Sequence, residues 1–179
     1  MKTMTPVKRT VLGALCTALC VVLPIAVHSI PDAGAVILPM HIPVLICGLV
    51  CGWPYGFICG LLGPLLSNLL TGMPAAARLP AMMVECAVYG MVTAILLKFV
   101  HTKNTRLDLY IALLVAMIAG RVVSGIAKAL IFTPGLTMSA WIASSFVTAL
   151  PGIIIQLALV PQVVCLLIKI GQIPKRYPD

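Results

Sequence analysis

Residues 33–77 read AGAVILPMHIPVLICGLVCGWPYGFICGLLGPLLSNLLTGMPAAA, a run of 45 residues without a single charge, between Asp32 and Arg78. A membrane-spanning helix needs about 20 predominantly apolar residues, so this stretch has room for two. Trp53-Pro54 divides it, because proline disfavours helix in the residue before it. The stretch therefore predicts a pair of membrane helices that meet at a short turn.

The composition of the whole chain points in the same direction. Of its 179 residues, 61% are hydrophobic and only 9% are charged, with a mean hydropathy of +1.16. A soluble domain carries roughly 25% charged residues, and a disordered chain has low hydrophobicity, so both classes are excluded. The net charge of +8 does not indicate nucleic-acid binding, because too few polar residues remain to build a basic surface in water.

We predict an all-α membrane protein with six transmembrane helices in a single domain, residues 1–179. The second helix could start earlier, from Val36. The first follows a basic N-terminus but lacks a convincing signal-peptide cleavage site, so we expect it to be a mature helix. The predicted segments are Thr10–His28, Pro43–Gly52, Tyr55–Thr71, Leu79–Phe99, Leu107–Ile131 and Ser139–Lys169.

The basic residues predict the orientation of this bundle. Six spans place both termini on one side, and the loops of the opposite side carry only Arg78. The positive-inside rule therefore puts both termini in the cytoplasm. The nine basic residues on the side of the termini are Lys2, Lys8, Arg9, Lys98, Lys103, Arg106, Lys169, Lys175 and Arg176.

Three charges fall inside the predicted spans: Glu85, Arg121 and Lys128. Charges in hydrocarbon are costly and normally face the bundle interior or a water-filled cavity. Arg121 and Lys128 are two helical turns apart and share a face, as do Glu85 and Tyr89. In the predicted orientation all three charges lie in the outer half of the membrane. Two interpretations stay open: a Glu85–Arg121 ion pair that locks two helices, or a pair that also lines a ligand cavity.

Other residues belong to the same outer layer or cover it. Asn68, Trp141 and Ser145 are predicted at the depth of the charges. The segment His28–Pro43, rich in proline and glycine, could fold back as a lid that carries Met40 and His41, although an ordinary interfacial loop with a structural histidine is the alternative. Gly72–Pro74, which includes Met73, and Phe132–Met138 could complete the cover. Gln156 lies deeper, and we expect it to bond a neighbouring helix.

Small residues and cysteines recur within the spans. One series of glycines recurs every four residues, at Gly48, Gly52, Gly56 and Gly60, and this spacing favours close helix packing. Because the Trp53-Pro54 break falls within the series, we expect the glycines to form the faces of two helices that meet. All seven cysteines fall in predicted spans without a CxxC motif, so they should pack as small apolar residues. No metal site, cofactor motif or usual catalytic signature is present. A chain this small without an ATP site should draw its energy from a partner.

Several short motifs together resemble one family. The chain is similar to the substrate-binding S component of energy-coupling factor (ECF) vitamin transporters over nearly its whole length, most strongly over residues 38–90. The residues that carry the resemblance are Leu38-Pro39-Met40-His41-Ile42-Pro43-Val44, Gly48, Gly52-Trp53-Pro54-Tyr55-Gly56, Gly60, Pro64-Leu65-Leu66-Ser67, Gly72-Met73-Pro74, Met82, Glu85, Tyr89-Gly90 and Gly120-Arg121.

The resemblance implies a non-enzymatic, six-helix binding subunit in a bacterial cell membrane that captures a micronutrient from outside. Its implied partners are a transmembrane coupling subunit and two ATPases that drive release inside, with no cofactor and no nucleic acid. Ala14 and Ala18 match the family's small-residue motif for docking the coupling subunit, and the first, third and fifth outer loops are implied to cap the vitamin.

The ligand is a separate question. Arg121 and Lys128 on one face favour a carboxylate or phosphate, and pantothenate is the leading candidate. Glu85 could instead meet the amine or ring N–H of a queuosine-type base or pyridoxine; folate, riboflavin and cobalamin are further candidates. A stand-alone carrier or channel for a small anion, or a membrane enzyme or assembly factor, are the competing classes. The predicted substrate-binding residues are Met40, His41, Asn68, Met73, Glu85, Tyr89, Arg121, Lys128, Trp141 and Ser145.

Overall fold

The computed structural model describes residues 4–27, 36–132, 137–175 and 177, and all regular secondary structure in these residues is helical. Two of the helical segments, Lys128–Phe132 and Ala143–Val147, are π-helical. The helices are α1 (Pro6–Val27), α2 (His41–Cys51), α3 (Trp53–Thr71), α4 (Leu79–Phe99), α5 (Thr105–Ala127), α6 (Met138–Ile142) and α7 (Leu150–Lys169).

The predicted membrane bundle is confirmed. The helix boundaries agree closely except in the last predicted helix, Ser139–Lys169, which the structure divides into α6, a π-helical segment and α7. In the described residues, five segments are long and apolar enough to cross a membrane: Pro6–Val27, Trp53–Thr71, Leu79–Phe99, Thr105–Phe132 and Met138–Lys169. The first begins four residues before the predicted Thr10. The helix α2 is too short to count among these spans. It is apolar but has only 11 residues, about 16 Å at 1.5 Å per residue. It is therefore about half as long as the hydrocarbon core is thick.

Packing contacts fix the direction of the helices. Gly13 on α1 lies beside Tyr55 near the start of α3, and Gly63 further along α3 lies beside Cys20 of α1. The Cys20 thiol is 3.6 Å from the Met40 carbonyl oxygen, so α2 runs antiparallel to α1. We call the end of the bundle at which α3 ends and α4 begins the distal end, and the opposite end, which contains Pro6 and Lys169, the terminal end.

Glycines allow α2, α3 and α4 to approach closely. A Cβ on Gly48 of α2 or on Gly56 of α3 would overlap the Gly90 carbonyl of α4, and a Cβ on Gly60 would overlap the backbone at Cys86. The two glycine-lined faces therefore meet on α4. Gly52 does not take part, since it forms the turn between α2 and α3 with φ of +97°, a conformation that suits glycine.

The core between these helices is rich in thiols. Six of the seven cysteines are buried and all seven are free; the buried ones are Cys16, Cys20, Cys47, Cys51, Cys59 and Cys86. In the described parts of the chain, no group of three or more His, Cys, Asp or Glu residues is arranged to hold a metal ion. The thiols therefore act as small apolar packing residues.

A buried carboxylate organises the terminal end. Asp108, in the first turn of α5, is fully buried and accepts hydrogen bonds from the backbone N–H (2.9 Å) and hydroxyl (2.7 Å) of Thr102. The Tyr177 hydroxyl donates to its other oxygen. We call Asp108, Thr102 and Tyr177 the Asp108 cluster. It ties the α4–α5 connection to the C-terminal segment, in which Ile173 is also buried.

Candidate functional site

Glu85 is the centre of a polar cluster in the distal half of the bundle. Its Oε1 accepts a hydrogen bond from the Tyr89 hydroxyl at 3.0 Å, and its Oε2 accepts one from the Ser124 hydroxyl at 3.1 Å. The His41 Nε2 atom lies 3.7 Å from Oε1. We call these four residues, together with Arg121, the Glu85 cluster. It joins α2, α4 and α5 at one carboxylate, whose side chain remains 14% exposed.

The local sequence explains how Tyr89 and His41 reach this position. Tyr89 follows Glu85 by four residues, so both side chains lie on the same face of α4. Gly120 on α5 makes room for the tyrosine ring, because a Cβ there would overlap the ring carbons. The His41 ring, at the first residue of α2, lies 5.4 Å from the Tyr89 ring with a 58° tilt. His41 is 1% exposed, and neither ring nitrogen has a hydrogen bond.

Arg121 is buried between aromatic rings and is not paired with Glu85. Its side chain is 2% exposed, and its Cζ atom lies 6.0 Å from the Tyr89 ring centroid and 5.8 Å from that of Phe146. Within the described residues, no Glu85–Arg121 ion pair closer than 4.0 Å is present. The Nη2 atom of Arg121 has no hydrogen-bond partner. An ion pair that locks α4 to α5 is therefore not what holds this arginine.

The short helix α6 forms a further wall of the site. Trp141 packs edge-to-face on Phe146, with ring centroids 5.7 Å apart. Its indole ring lies against Gly125, one turn beyond Arg121 on α5, where any Cβ would overlap it. The indole nitrogen has no partner. Ser145 is buried in the adjoining π-helical segment, so two of the residues predicted on the last span adjoin Arg121 or its aromatic neighbours.

Gln156 differs from what we predicted. We expected its amide to bond a neighbouring helix, yet the side chain is completely buried and neither its oxygen nor its nitrogen has a hydrogen-bond partner. Buried amides are normally hydrogen-bonded. Gln156 thus joins His41, Arg121 and Trp141, each of which has a buried polar atom without a hydrogen-bond partner.

Two predicted residues belong to a turn and not to the Glu85 cluster. The Asn68 side chain donates to the Pro74 carbonyl at 2.7 Å and thereby closes the turn that follows α3. Met73 is half-buried in that turn and precedes Pro74 through a cis peptide bond. No hydrogen bond or ion pair joins either residue to Glu85 or Arg121 within the described part of the chain. The structure therefore places them at the distal rim.

Met40 and Lys128 make no hydrogen bond or ion pair with the Glu85 carboxylate among the described residues. Met40 is buried just before α2, and its carbonyl oxygen contacts the Cys20 thiol. Lys128 is half-buried at the first residue of the π-helical extension of α5. Of the two segments predicted as lids, residues 28–35 and 133–136 lie outside the described residues.

Sequence reasoning missed Ser124 and Phe146. Ser124 follows Arg121 by three residues, so helical spacing alone could have placed it on the same face of α5. Phe146 lies in a π-helical segment, where α-helical spacing does not hold. Its contact with Arg121 was therefore not readable from the residue pattern.

A comparison with known families agrees with this architecture. The family model of the substrate-specific component of ECF transporters matches residues 8–164, which is most of the chain. Neither the curated proteins nor the solved structures include a match. Because the family model covers all the helices that build the site, the chain belongs to the substrate-specific components of ECF transporters.

Proposed function

We propose that this S component binds a small anionic vitamin in the distal half of its bundle, with pantothenate as the leading candidate. Family membership makes it the substrate-binding subunit of an ECF transporter, a transport subunit and not an enzyme, which associates with the ECF coupling and ATPase modules. The observation that carries the proposal is Arg121, whose buried guanidinium retains an N–H donor without a partner.

The charge balance around Arg121 supports an anion. The carboxylate of Glu85 already accepts hydrogen bonds from Tyr89 and Ser124, and it lies more than 4.0 Å from the guanidinium. A buried charge without a partner is costly, and a ligand carboxylate would supply a charge-assisted, directional partner. Lys128, two turns along the same helix, adds a second positive charge near the distal rim.

The mixed character of the site supports pantothenate among the anions. Pantothenate combines a carboxylate with an amide and two hydroxyl groups, and the site combines Arg121 with neutral groups that can donate or accept. A queuosine-type base or pyridoxine would use Glu85 as the acceptor, whereas the charged group that lacks a partner is a donor, the Nη2 atom of Arg121. Folate, riboflavin and cobalamin are larger and stay as alternatives in the test below.

In this proposal the predicted residues take two roles. Asn68, Met73 and Lys128 contribute to the rim through which the vitamin enters, and Met40 lies deeper, just before α2. Both termini lie in the cytoplasm of a bacterial cell, so the distal rim opens to the outside. The residues that contact the vitamin inside the bundle are His41, Glu85, Tyr89, Arg121, Trp141 and Ser145.

Binding by the purified chain tests the ligand. Calorimetric titration with pantothenate, pyridoxine, queuine, riboflavin, folate and cobalamin should give tight binding of pantothenate, and native mass spectrometry of protein from rich medium should detect the same molecule. Tight binding of a cationic or neutral vitamin in place of an anion would contradict the proposal, as would the absence of binding to any of them.

Transport tests the role of the partners. Ala14 and Ala18 are exposed on α1, which suits the proposed contact with the coupling subunit because small residues allow helices to approach closely. Replacing both with leucine should abolish vitamin uptake by cells and leave binding by the purified chain intact. Ala26→Leu, at an exposed position of the same helix, is the matched control and should transport normally. Uptake in cells without the coupling module would instead indicate a stand-alone carrier.

A further inference from the structure

Gln156 lies on the buried face of α7. Gly152, Gln156 and Val160 recur every four residues on this helix and are all buried, so they form one face. The Gln156 side chain is 0% exposed, with no hydrogen-bond partner for Oε1 or Nε2. An amide buried in this way is unfavourable unless another group supplies its hydrogen bonds.

The contacts of Gly152, one turn earlier on α7, indicate where Gln156 lies in the bundle. A Cβ on Gly152 would lie against the carbonyl groups of Val36 and Ile37, which precede α2. Gln156 is one turn, about 6 Å, further from the distal end. Because α7 packs against α2 and runs in the same direction, this displacement brings Gln156 towards the beginning of α2, where His41 also has ring nitrogens without hydrogen bonds.

We propose that Gln156 is a specificity-determining residue that binds the neutral, hydrogen-bonding part of the ligand, an amide or a hydroxyl-bearing group, while Arg121 binds its anionic end. This inference rests on the proposed function. A glutamine amide offers one acceptor and two donors in a fixed plane. It is therefore matched by a group that presents both a donor and an acceptor, and a simple aliphatic acid does not provide one.

This arrangement predicts how the site discriminates between ligands. A site built to hydrogen-bond a substrate group rejects an analogue that lacks it, because its own buried polar atoms are then left unpaired. Among carboxylates of similar size, the chain should prefer pantothenate to hexanoate, since hexanoate has a carboxylate but neither an amide nor a hydroxyl group.

Replacement of Gln156 by methionine provides the test, since methionine has a similar length and no hydrogen-bonding amide. Gln156→Met should weaken pantothenate binding by tenfold or more in calorimetric titration and leave the weak binding of hexanoate unchanged. The ligand-free variant should melt at the same temperature as the wild type or higher, because an unpaired buried amide has been removed. A purely structural glutamine would instead lower the melting temperature. Gln162→Met, at an exposed position of the same helix, is the matched control.

The outcomes separate the two proposals. If the wild type binds pantothenate and Gln156→Met binds it equally well, the role of Gln156 is overturned and the proposed function stands. If Gln156→Met loses pantothenate and hexanoate binding to the same extent, Gln156 does not discriminate and the inference again fails. If the wild type binds none of the vitamins in the panel above, the proposed function itself fails, together with the inference that rests on it.

Discussion

Asp108 and Glu85, the two carboxylates among the described residues, occupy opposite ends of the bundle and have different surroundings. Asp108 at the terminal end is fully buried and accepts from two groups of Thr102 and from Tyr177. Glu85 at the distal end accepts from two hydroxyl groups, keeps 14% exposure and lies near side chains with unused donors. The carboxylate of the Asp108 cluster is hydrogen-bonded to groups of the protein on both oxygens, as expected of a structural cluster. The Glu85 cluster includes nitrogen atoms of His41 and Arg121 that can still bond to another molecule.

The largest effect that separates the two clusters is expected at Arg121. Arg121→Met should weaken pantothenate binding about 100-fold, or roughly 2.7 kcal/mol, because a charge-assisted hydrogen bond in a buried site is lost. The stability of the ligand-free chain should not fall, since no ion pair is broken. Calorimetric titration and thermal unfolding in detergent measure the two quantities.

The control for this prediction is Arg78→Met. Arg78 is exposed at the distal rim, so its replacement removes the same formal charge without touching the site and should change binding by less than about threefold. Comparable losses in both variants would mean that general charge attraction, and not the guanidinium of Arg121, accounts for anion binding.

The Asp108 cluster should respond in the opposite way. Asp108→Asn removes the charge that its donors stabilise and should lower the free energy of unfolding by about 2 kcal/mol, with no change in the affinity for pantothenate. The melting temperature and the dissociation constant, measured on the same preparation, check both halves of the statement. A loss of affinity at unchanged stability would contradict our distinction between a structural Asp108 cluster and a ligand-binding Glu85 cluster.

Tyr177→Phe is the mildest form of the same experiment. It removes one donor to Asp108 and should cost about 1 kcal/mol, again without an effect on binding. Tyr110→Phe, at an exposed tyrosine of α5, should have no measurable effect on stability. Equal effects of the two replacements would remove the evidence that the C-terminal segment is fastened through Asp108.

The sequence predicted the helices well because charges and breakers mark their ends. The predicted bounds of the fourth helix, Leu79–Phe99, are those found in the structure, since Arg78 with Pro80 and Lys98 lie at its two ends. The shared face of Glu85 and Tyr89 was also predicted from spacing, and the hydrogen bond between them confirms it. Properties that depend on one helix alone were therefore readable from the residue pattern.

Properties that depend on how two helices face each other could not be predicted from the residue pattern. Spacing places Arg121 and Ser124 on similar sides of α5, but the rotation of α5 against α4 decides that Ser124, and not Arg121, meets Glu85. Likewise, no periodicity places His41 beside Glu85, because residues 38–40 form a turn before α2 in which Leu38 has a positive φ of 53°. The ligand contacts of these residues stay predictions.

The shortness of α2 has an electrostatic consequence. Cys20, which lies about 10 Å from the distal end of α1, contacts Met40 just before α2 begins. The first turn of α2 therefore lies within the bundle and not at the membrane surface. A helix N-terminus carries a partial positive charge, and His41, the first residue of α2, is 3.7 Å from Glu85. The backbone of the protein thus contributes positive potential about 10 Å inside the distal end, where a full-length helix would have contributed none.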